Sequence, residues 1–343
     1  MALYLCFSVL FCSCAFPYCS VPVLFRIVLF LCFSYCSVPV LFVLLCSCAF
    51  RIVLLLCFFV LFPCVFSYFL LFSFAGSFRS GRGVNMYPKP SLTEHPDRPF
   101  VFINSAMSAD GKLSTIERKQ VRISGTADFS RVDEMRSECD AVLVGIGTVF
   151  SDDPSLTVKS AERKAARKAR GLSENPVRVV PASLAEIPPD ADIFRKGEGK
   201  KIIVVSEAAP ADRIDLLKGL PDTEVIVAGA EKVDFRLMAR LLKEMGINSL
   251  MIEGGATVNF EAVRAGIVDE IFTFVGNIFI GGKTAPTFAD GAGFRENECI
   301  RLELDSFSRI EDGILLKWRV RYDRERSEMR CHDLSGRKYL KKR

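Results

Sequence analysis

Three glycine turns stand where apolar runs give out. They are Gly145-Ile-Gly-Thr148 after Ala141–Val144, Glu253-Gly-Gly-Ala-Thr257 after Ser249–Ile252, and Gly281-Gly282-Lys283-Thr284 after Phe279-Ile280. Glycine at a strand-to-helix join lets backbone N–H groups approach a phosphate, and the helix N-terminus favours its negative charge. Any one of them also reads as a tight turn that needs positive φ. Three in one stretch, with Thr148 and Thr257 beside them, point to a dinucleotide or phosphate site. None completes a GxGxxG or GxxxxGK[ST] pattern, which argues against a Rossmann or P-loop nucleotide site. A fourth feature, Asn104-Ser-Ala-Met-Ser-Ala-Asp110-Gly111-Lys112, lies where the first strand is expected to end. Asp110-Gly111 alone is a common turn. Asn104, Asp110 and Lys112 together at a strand's end suit a polar substrate, because open α/β sheets bind ligands there.

The chain has two histidines, His95 and His332, both outside the segment expected to fold. This removes Ser-His-Asp and Cys-His nucleophile schemes and histidine-based metal sites. No CxxC pair follows Met86, so a zinc deaminase site is absent as well, and no metal is expected. Acid–base work falls to carboxylates, lysine, or the cofactor and substrate themselves.

The elements that must position these residues follow from periodicity. From Arg98 onward short apolar runs alternate with amphipathic ones, the mark of an α/β domain. Strands are predicted at 99–104, 141–145, 201–205, 224–228 and 249–253, with helices at 127–138, 211–218, 235–245 and 258–265. Residues 270–275, 301–307 and 313–320 read as strands without intervening helices. The sheet is therefore expected to be mixed and mainly parallel, antiparallel only near its end.

Composition sets the flanks apart. Residues 1–85 contain no Asp, Glu or Lys and carry ten of the 13 cysteines. The scarcity of cysteine afterwards suits a reducing cytoplasm. Broken repeats run through the leader: Tyr18–Phe25 recurs as Tyr35–Phe42, and Cys12–Phe16 as Cys46–Phe50. No single structural period fits their spacings. Residues 52–75 pass as a membrane span by length and hydropathy, yet the broken repeats favour translated repetitive DNA upstream of a start at Met86 over a membrane anchor or targeting peptide. Residues 321–343 form a basic tail without core periodicity, expected to be solvated. The net charge of +5 comes from these ends, so it is poor support for nucleic-acid binding. Residues 98–320 remain as the working domain, ample for a core.

Within that domain the ordered set Asn104…Met107-Ser-Ala-Asp-Gly-Lys-Leu113, Arg122-Ile-Ser124, Arg136…Asp140-Ala-Val-Leu-Val-Gly-Ile-Gly-Thr-Val149, Asp152-Asp-Pro-Ser-Leu-Thr157, Asn175-Pro-Val-Arg178, Glu253-Gly-Gly-Ala-Thr257 and Gly281-Gly282-Lys283 carries a resemblance. It resembles the archaeal 2,5-diamino-6-ribosylamino-4(3H)-pyrimidinone 5′-phosphate reductases, and the reductase half of the bacterial bifunctional deaminase-reductases of riboflavin synthesis. The resemblance implies a dihydrofolate-reductase-like three-layer fold, a cytoplasmic homodimer, and NADPH as cofactor with NADH as the alternative. It implies reduction of a ribosylamino to a ribitylamino group on a phosphorylated pyrimidine. By position, Thr148, Asp152, Gly254, Gly255, Ala256 and Thr257 would contact the cofactor. Asn104, Asp110, Lys112 and Glu253 would line the substrate side, with Asp110, Lys112 and Glu253 as catalytic candidates. Ser124 and Arg136 would meet the 5′-phosphate. One departure is Val180-Pro181-Ala182-Ser183, where the family shows an Asp-Ser pair. The tail after Val320 is another.

Two other readings compete: a pterin reductase of the dihydrofolate reductase type, and an inactive or membrane-anchored nucleotide-binding protein. If the leader takes no part in the chemistry, a chain beginning at Met86 will be soluble and as active as the full chain. Activity confined to membranes carrying the full chain would contradict this.

Overall fold

Successive residues of β1 (Phe100–Met107) feed two separate cores, Phe100 and Phe102 on one face, Val101 and Ile103 on the other. That alternation is what a strand buried on both faces requires. The computed structural model describes residues 87–322. Beyond β1 the strands are β2 (Ala141–Leu143), β3 (Val177–Pro181), β4 (Lys201–Val205), β5 (Thr223–Val227), β6 (Ser249–Ile252), β7 (Glu270–Val275), β8 (Arg301–Ile310) and β9 (Gly313–Arg321). They form one sheet in the order β5-β4-β3-β2-β6-β1-β7-β9-β8. All neighbours pair parallel except those of β9, which is antiparallel to both β7 and β8. The mixed, mainly parallel sheet expected from the sequence is the one observed.

Helices cover both faces. α1 (Thr126–Glu138), α4 (Asp192–Arg195) and α5 (Ala211–Lys218) bring Met135, Ile193 and Leu217 to one core. α6 (Phe235–Glu244) and α7 (Ala256–Ala265) bring Met238, Leu242, Val258 and Ala262 to the other. α2 (Ile146–Asp152) and α3 (Ala161–Ala169) complete the set. α6 shows how sequence fixes an element. Asp234 caps it by accepting from the N–H groups of Arg236 and Leu237, and its apolar residues recur at helical spacing toward the sheet.

The sequence reading missed β3, α2, α3 and α4. β3 interrupts its apolar run with Arg178, which is fully buried and donates to the carbonyls of Ile193, Lys196, Gly197 and Gly199. α3 has alanine as its only apolar residue type and packs instead through Arg167, which donates to the carbonyls of Ser137, Cys139 and Ser173. The folded region also begins earlier than 98. Lys89 pairs with Glu134 and Glu138, and Ser91 bonds Glu270. His95 lies within the fold, 3.1 Å from Asp269. His332, the 52–75 span and the leader repeats lie outside the described residues. Among the described residues no helix is long and apolar enough to cross a membrane.

Two expectations about the first strand change. β1 does not stop at Asn104 but continues to Met107, because β7 goes on pairing with it as far as Val275. Pairing with β6 ends at Ile103, so Asn104 sits where β1 outruns its neighbour. Phe279-Ile280 is loop rather than strand, and Gly281 follows it there. Asp110 holds that loop: it accepts from the Ser108 hydroxyl at 2.6 Å, from Ile280 N–H at 3.0 Å and from Gly281 N–H at 2.6 Å. Lys112 is tied to the next stretch, its Nζ donating to the Ala285 carbonyl at 3.2 Å.

The Ser108 hydroxyl and the two N–H groups pull the Asp110 carboxyl down to about 2. A carboxyl depressed in the folded state adds stability above its ordinary value near 3.8 and loses it as pH falls toward 2. Asp110→Asn is therefore expected to unfold more easily than the parent at neutral pH, with the difference shrinking through that acid window. Thermal melts at a series of pH values check this; a difference independent of pH would contradict it.

Candidate active site

The carboxyl ends of β1, β2, β3 and β6 open into one cavity of about 1510 Å³. It follows from the parallel sheet, whose strand ends and following turns all face the same side. Ten of the twelve residues singled out from sequence line it: Asn104, Ser124, Arg136, Thr148, Asp152, Glu253, Gly254, Gly255, Ala256 and Thr257. Asp110 and Lys112 do not. Their side chains are turned to the 278–287 loop, so the structure gives them a part in holding that loop rather than a place on the cavity wall. The third glycine turn, at Gly281-Gly282, is likewise absent from the cavity wall.

The two remaining glycine turns lie side by side. Gly145 N–H donates to the Gly254 carbonyl at 2.8 Å, joining the turn after β2 to the turn after β6. Gly254 has φ +107°, a conformation that side chains rarely adopt, and its peptide bond to Gly255 is cis. At Gly145 a Cβ would come within 2.6 Å of Val258 on α7, so that turn packs only without a side chain. No side chain caps α7, whose N-cap is Gly255, and its first residues line the cavity. This leaves backbone donors facing the cavity from a ten-residue helix.

Arg136 on α1 and Glu253 after β6 form a bidentate pair across the cavity wall, with Nε–Oε1 and Nη2–Oε2 both at 2.5 Å. Burial works against the Arg136 charge, but Glu253 outweighs it and raises the guanidinium above its ordinary range. The fork expected to grip a phosphate is thus engaged by a carboxylate, and Nη1 reaches the Thr157 carbonyl at 3.3 Å. Arg136 brings charge to this wall without a free planar fork.

Sequence reasoning missed a second group of cavity residues. Lys159 Nζ donates to the hydroxyls of Ser155 and Thr157, each at 2.8 Å. Burial and the neighbouring charges of Arg136 and Lys164 push the Lys159 ammonium below its ordinary value. A wall that crowds cations without a carboxylate on each of them suits an anion. Asp133 fixes this loop by accepting from the N–H groups of Lys159 and Ser160 and from Arg163. Those donors hold its carboxyl below the ordinary range in spite of burial. The run of Ser, Thr and Lys after Asp152-Asp-Pro154 was the available signal.

The third missed group is Asp128 and Arg131 on α1. Arg131, behind the wall, donates to Asp128 Oδ1 and to Asn104 Oδ1 at 2.8 and 2.7 Å. The signal was an acid and a base three residues apart on the helical face that also carries Met135. Pro181, Ala182 and Ser183 line the cavity where β3 ends. Proline is tolerated there because the ladder with β2 has already finished at Val179.

Comparison with known proteins agrees with this architecture. The chain is 41% identical over 216 residues, 63% of its length and 95% of the relative's, to a 2,5-diamino-6-ribosylamino-4(3H)-pyrimidinone 5′-phosphate reductase of Archaeoglobus fulgidus. It is 40% identical over 225 residues, 65% of its length and 99% of the relative's, to the protein of the same name from Methanothermobacter thermautotrophicus. A crystal structure of a pyrimidine reductase-like protein from Corynebacterium diphtheriae superposes with a TM-score of 0.56 at 20% identity, covering 66% of this chain and 94% of that one. The fold they share is the dihydrofolate-reductase-like one. The RibD C-terminal domain family matches residues 99–316, and the chain belongs to that family.

Proposed function

We propose that this protein reduces the ribosylamino group of 2,5-diamino-6-ribosylamino-4(3H)-pyrimidinone 5′-phosphate to the ribitylamino product, in riboflavin synthesis, using a nicotinamide cofactor. One observation carries the reading: a single cavity holds two different anion-favouring walls. The paired turns at Gly145–Thr148 and Gly254–Thr257 offer backbone donors at a helix N-terminus, which suits a dinucleotide diphosphate. The wall of Lys159, Ser155 and Arg136 suits the substrate's 5′-phosphate, whereas Ser124, before the first turn of α1, lines a different part of the cavity.

Thr148, Asp152 and Gly254–Thr257 would hold the cofactor, NADPH by the family resemblance. Bound there, it supplies a hydride equivalent. The chain's own residues do the positioning. Glu253, held by Arg136, puts a carboxylate beside the turn, where it can stabilise positive charge developing on the sugar imine nitrogen. The phosphate wall fixes the far end of the substrate, so that binding energy is spent on orienting the reacting carbon. Asp110 and Lys112 enter as holders of the loop beside the cavity. We place the working domain at 98–320, preceded by the segment from Tyr87 that packs on it, and the protein in the cytoplasm.

The homodimer belongs to this reading too. β8 is one of the sheet's two outer strands, and Leu302, Leu304 and Phe307 on it, with Ile314 on β9, are exposed. An apolar edge strand of this kind is covered by a second copy meeting it about a two-fold axis.

Oxidation of NADPH that depends on the ribosylaminopyrimidine phosphate is the expected activity, and dihydrofolate should not replace that substrate. Lys159→Ala should raise KM for the phosphorylated substrate by about tenfold or more while changing KM for NADPH little. No turnover by the purified protein would overturn the reading. An unchanged substrate KM in Lys159→Ala would remove Lys159 from the phosphate site.

A further inference from the structure

The buried ion pair between Lys317 and Glu270 lies away from the cavity wall and takes no part in the proposed chemistry. Glu270 on β7 and Lys317 on β9 are 3% and 6% exposed, with Nζ 3.1 Å from Glu270 Oε1 and 3.5 Å from Asp305 Oδ2 on β8. Phe272 pairs with Lys317 across the sheet, and Glu270 stands two residues before Phe272, so both charges lie on the face that α1 covers. Buried charges need their remaining donors and acceptors met. Here the partners come from the N-terminal segment. Ser91 donates to Glu270 from its N–H at 3.1 Å and from its hydroxyl. Lys317 Nζ donates to the Lys89 carbonyl at 2.9 Å and to Ser91 Oγ at 3.3 Å.

The same segment also reaches α1. Lys89 Nζ lies 2.8 Å from Glu134 Oε1 and 2.5 Å from Glu138 Oε1, two carboxylates one helical turn apart. Burial works against the Lys89 charge, but these carboxylates outweigh it and raise the ammonium above its ordinary value. Tyr87 packs against the core that Met135 and Phe272 share. Pro88 and Pro90 frame Lys89, and each fixes its own φ and keeps the residue before it extended. A segment stiffened in this way loses little entropy when it docks. Tyr87–Ser91 is thus a strap that joins β7 and β9 to α1. A helix turns about 100° per residue, so Arg136 leaves α1 roughly opposite Glu134. On the cavity side Arg136 holds Glu253, and Asp133 fixes the N–H groups of Lys159 and Ser160.

We propose that Lys89 is a positioning residue for the phosphate wall: through Glu134 and Glu138 it sets the placement of α1, and through Asp133 that of Lys159. The family match begins at residue 99, so the strap is an addition of this chain's N-terminal segment to the working unit. This assignment rests on the phosphate role proposed above for Lys159 and adds the element that holds that wall in place.

The test uses the full chain and its Lys89→Met, Lys89→Arg and Lys159→Ala variants, each shown to be folded by its thermal melt; Lys89→Gln stands in if Lys89→Met does not fold. KM and kcat are measured with the ribosylaminopyrimidine phosphate. Calorimetry measures binding of ribose 5-phosphate and of NADPH, which needs no turnover. Lys89→Met should raise KM and weaken ribose 5-phosphate binding about fivefold, with kcat and NADPH affinity changed less than about twofold. Lys89→Arg, which keeps the charge, should stay close to the parent. In the Lys159→Ala background Lys89→Met should add less than about a twofold effect, because the two act on the phosphate through one group. Parent-like phosphate binding in a folded Lys89→Met would overturn the proposal, as would full additivity with Lys159→Ala or a Lys89→Arg as weak as Lys89→Met. A parent that binds ribose 5-phosphate yet turns over nothing defeats the proposed reaction, and the binding series still decides the strap. A parent that binds no phosphate defeats both.

Discussion

The pair between Arg136 and Glu253 is the contact on which the site depends. It ties α1, which crosses one face of the sheet, to the turn after β6, in the sheet's centre. Both charges are nearly buried, so removing either partner would leave the other unpaired at a cost of several kcal/mol, about 3 to 5. That penalty keeps the α1 wall and the glycine turns at a fixed separation. It also keeps the Glu253 carboxylate beside the place where positive charge would develop, without a histidine in the cavity. The pair costs Arg136 its freedom to grip phosphate as a planar fork, and Lys159 stands one loop away with hydroxyls rather than a carboxylate around it.

α1 carries most of what the sheet does not. Arg131 and Asp128 lie on its inner face, Asp133 holds the loop that bears Lys159, and Arg136 reaches Glu253. A single helix thus sets three regions of the cavity wall at once. Its N-cap is Gly125, the Glu311 carboxylate accepts from Ala127 N–H in its first turn, and its apolar residues are few, so ion pairs and hydrogen bonds do much of the fixing. Buried polar contacts stabilise weakly in net terms but specify geometry closely when every member is paired. That is the property a site needs.

Much of this was legible in the sequence. Period-2 and period-3.6 patterns gave the strands at 201–205 and 270–275 and the helix at 211–218 to the residue, because those segments bury one plain apolar face or two. The turns at Gly145 and Gly254 were legible because only glycine meets their steric demands. What stayed hidden was polar burial. Arg178 disguised β3, Arg167 disguised the packing of α3, and Arg131 looked like one charge among many on α1. Arg178 and Arg167 show no periodicity, since their partners are backbone carbonyls, and at Arg131 only the helical spacing to Asp128 and Met135 hinted at burial. Asp110 and Lys112 show the opposite case: in a conspicuous motif at a strand's end, both side chains bond the neighbouring loop. Sequence gives the residues near a strand's end but not the direction in which each side chain leaves it.

In the proposed reaction this cavity brings a nicotinamide hydride to the sugar carbon of a ribosylaminopyrimidine phosphate. The most direct measurement is to supply cofactor deuterated at the transferred position of the nicotinamide ring and locate the label in the product by NMR. One deuterium is expected, at C1′ of the new ribityl chain. Product labelled at another carbon, or product formed without label, would contradict it.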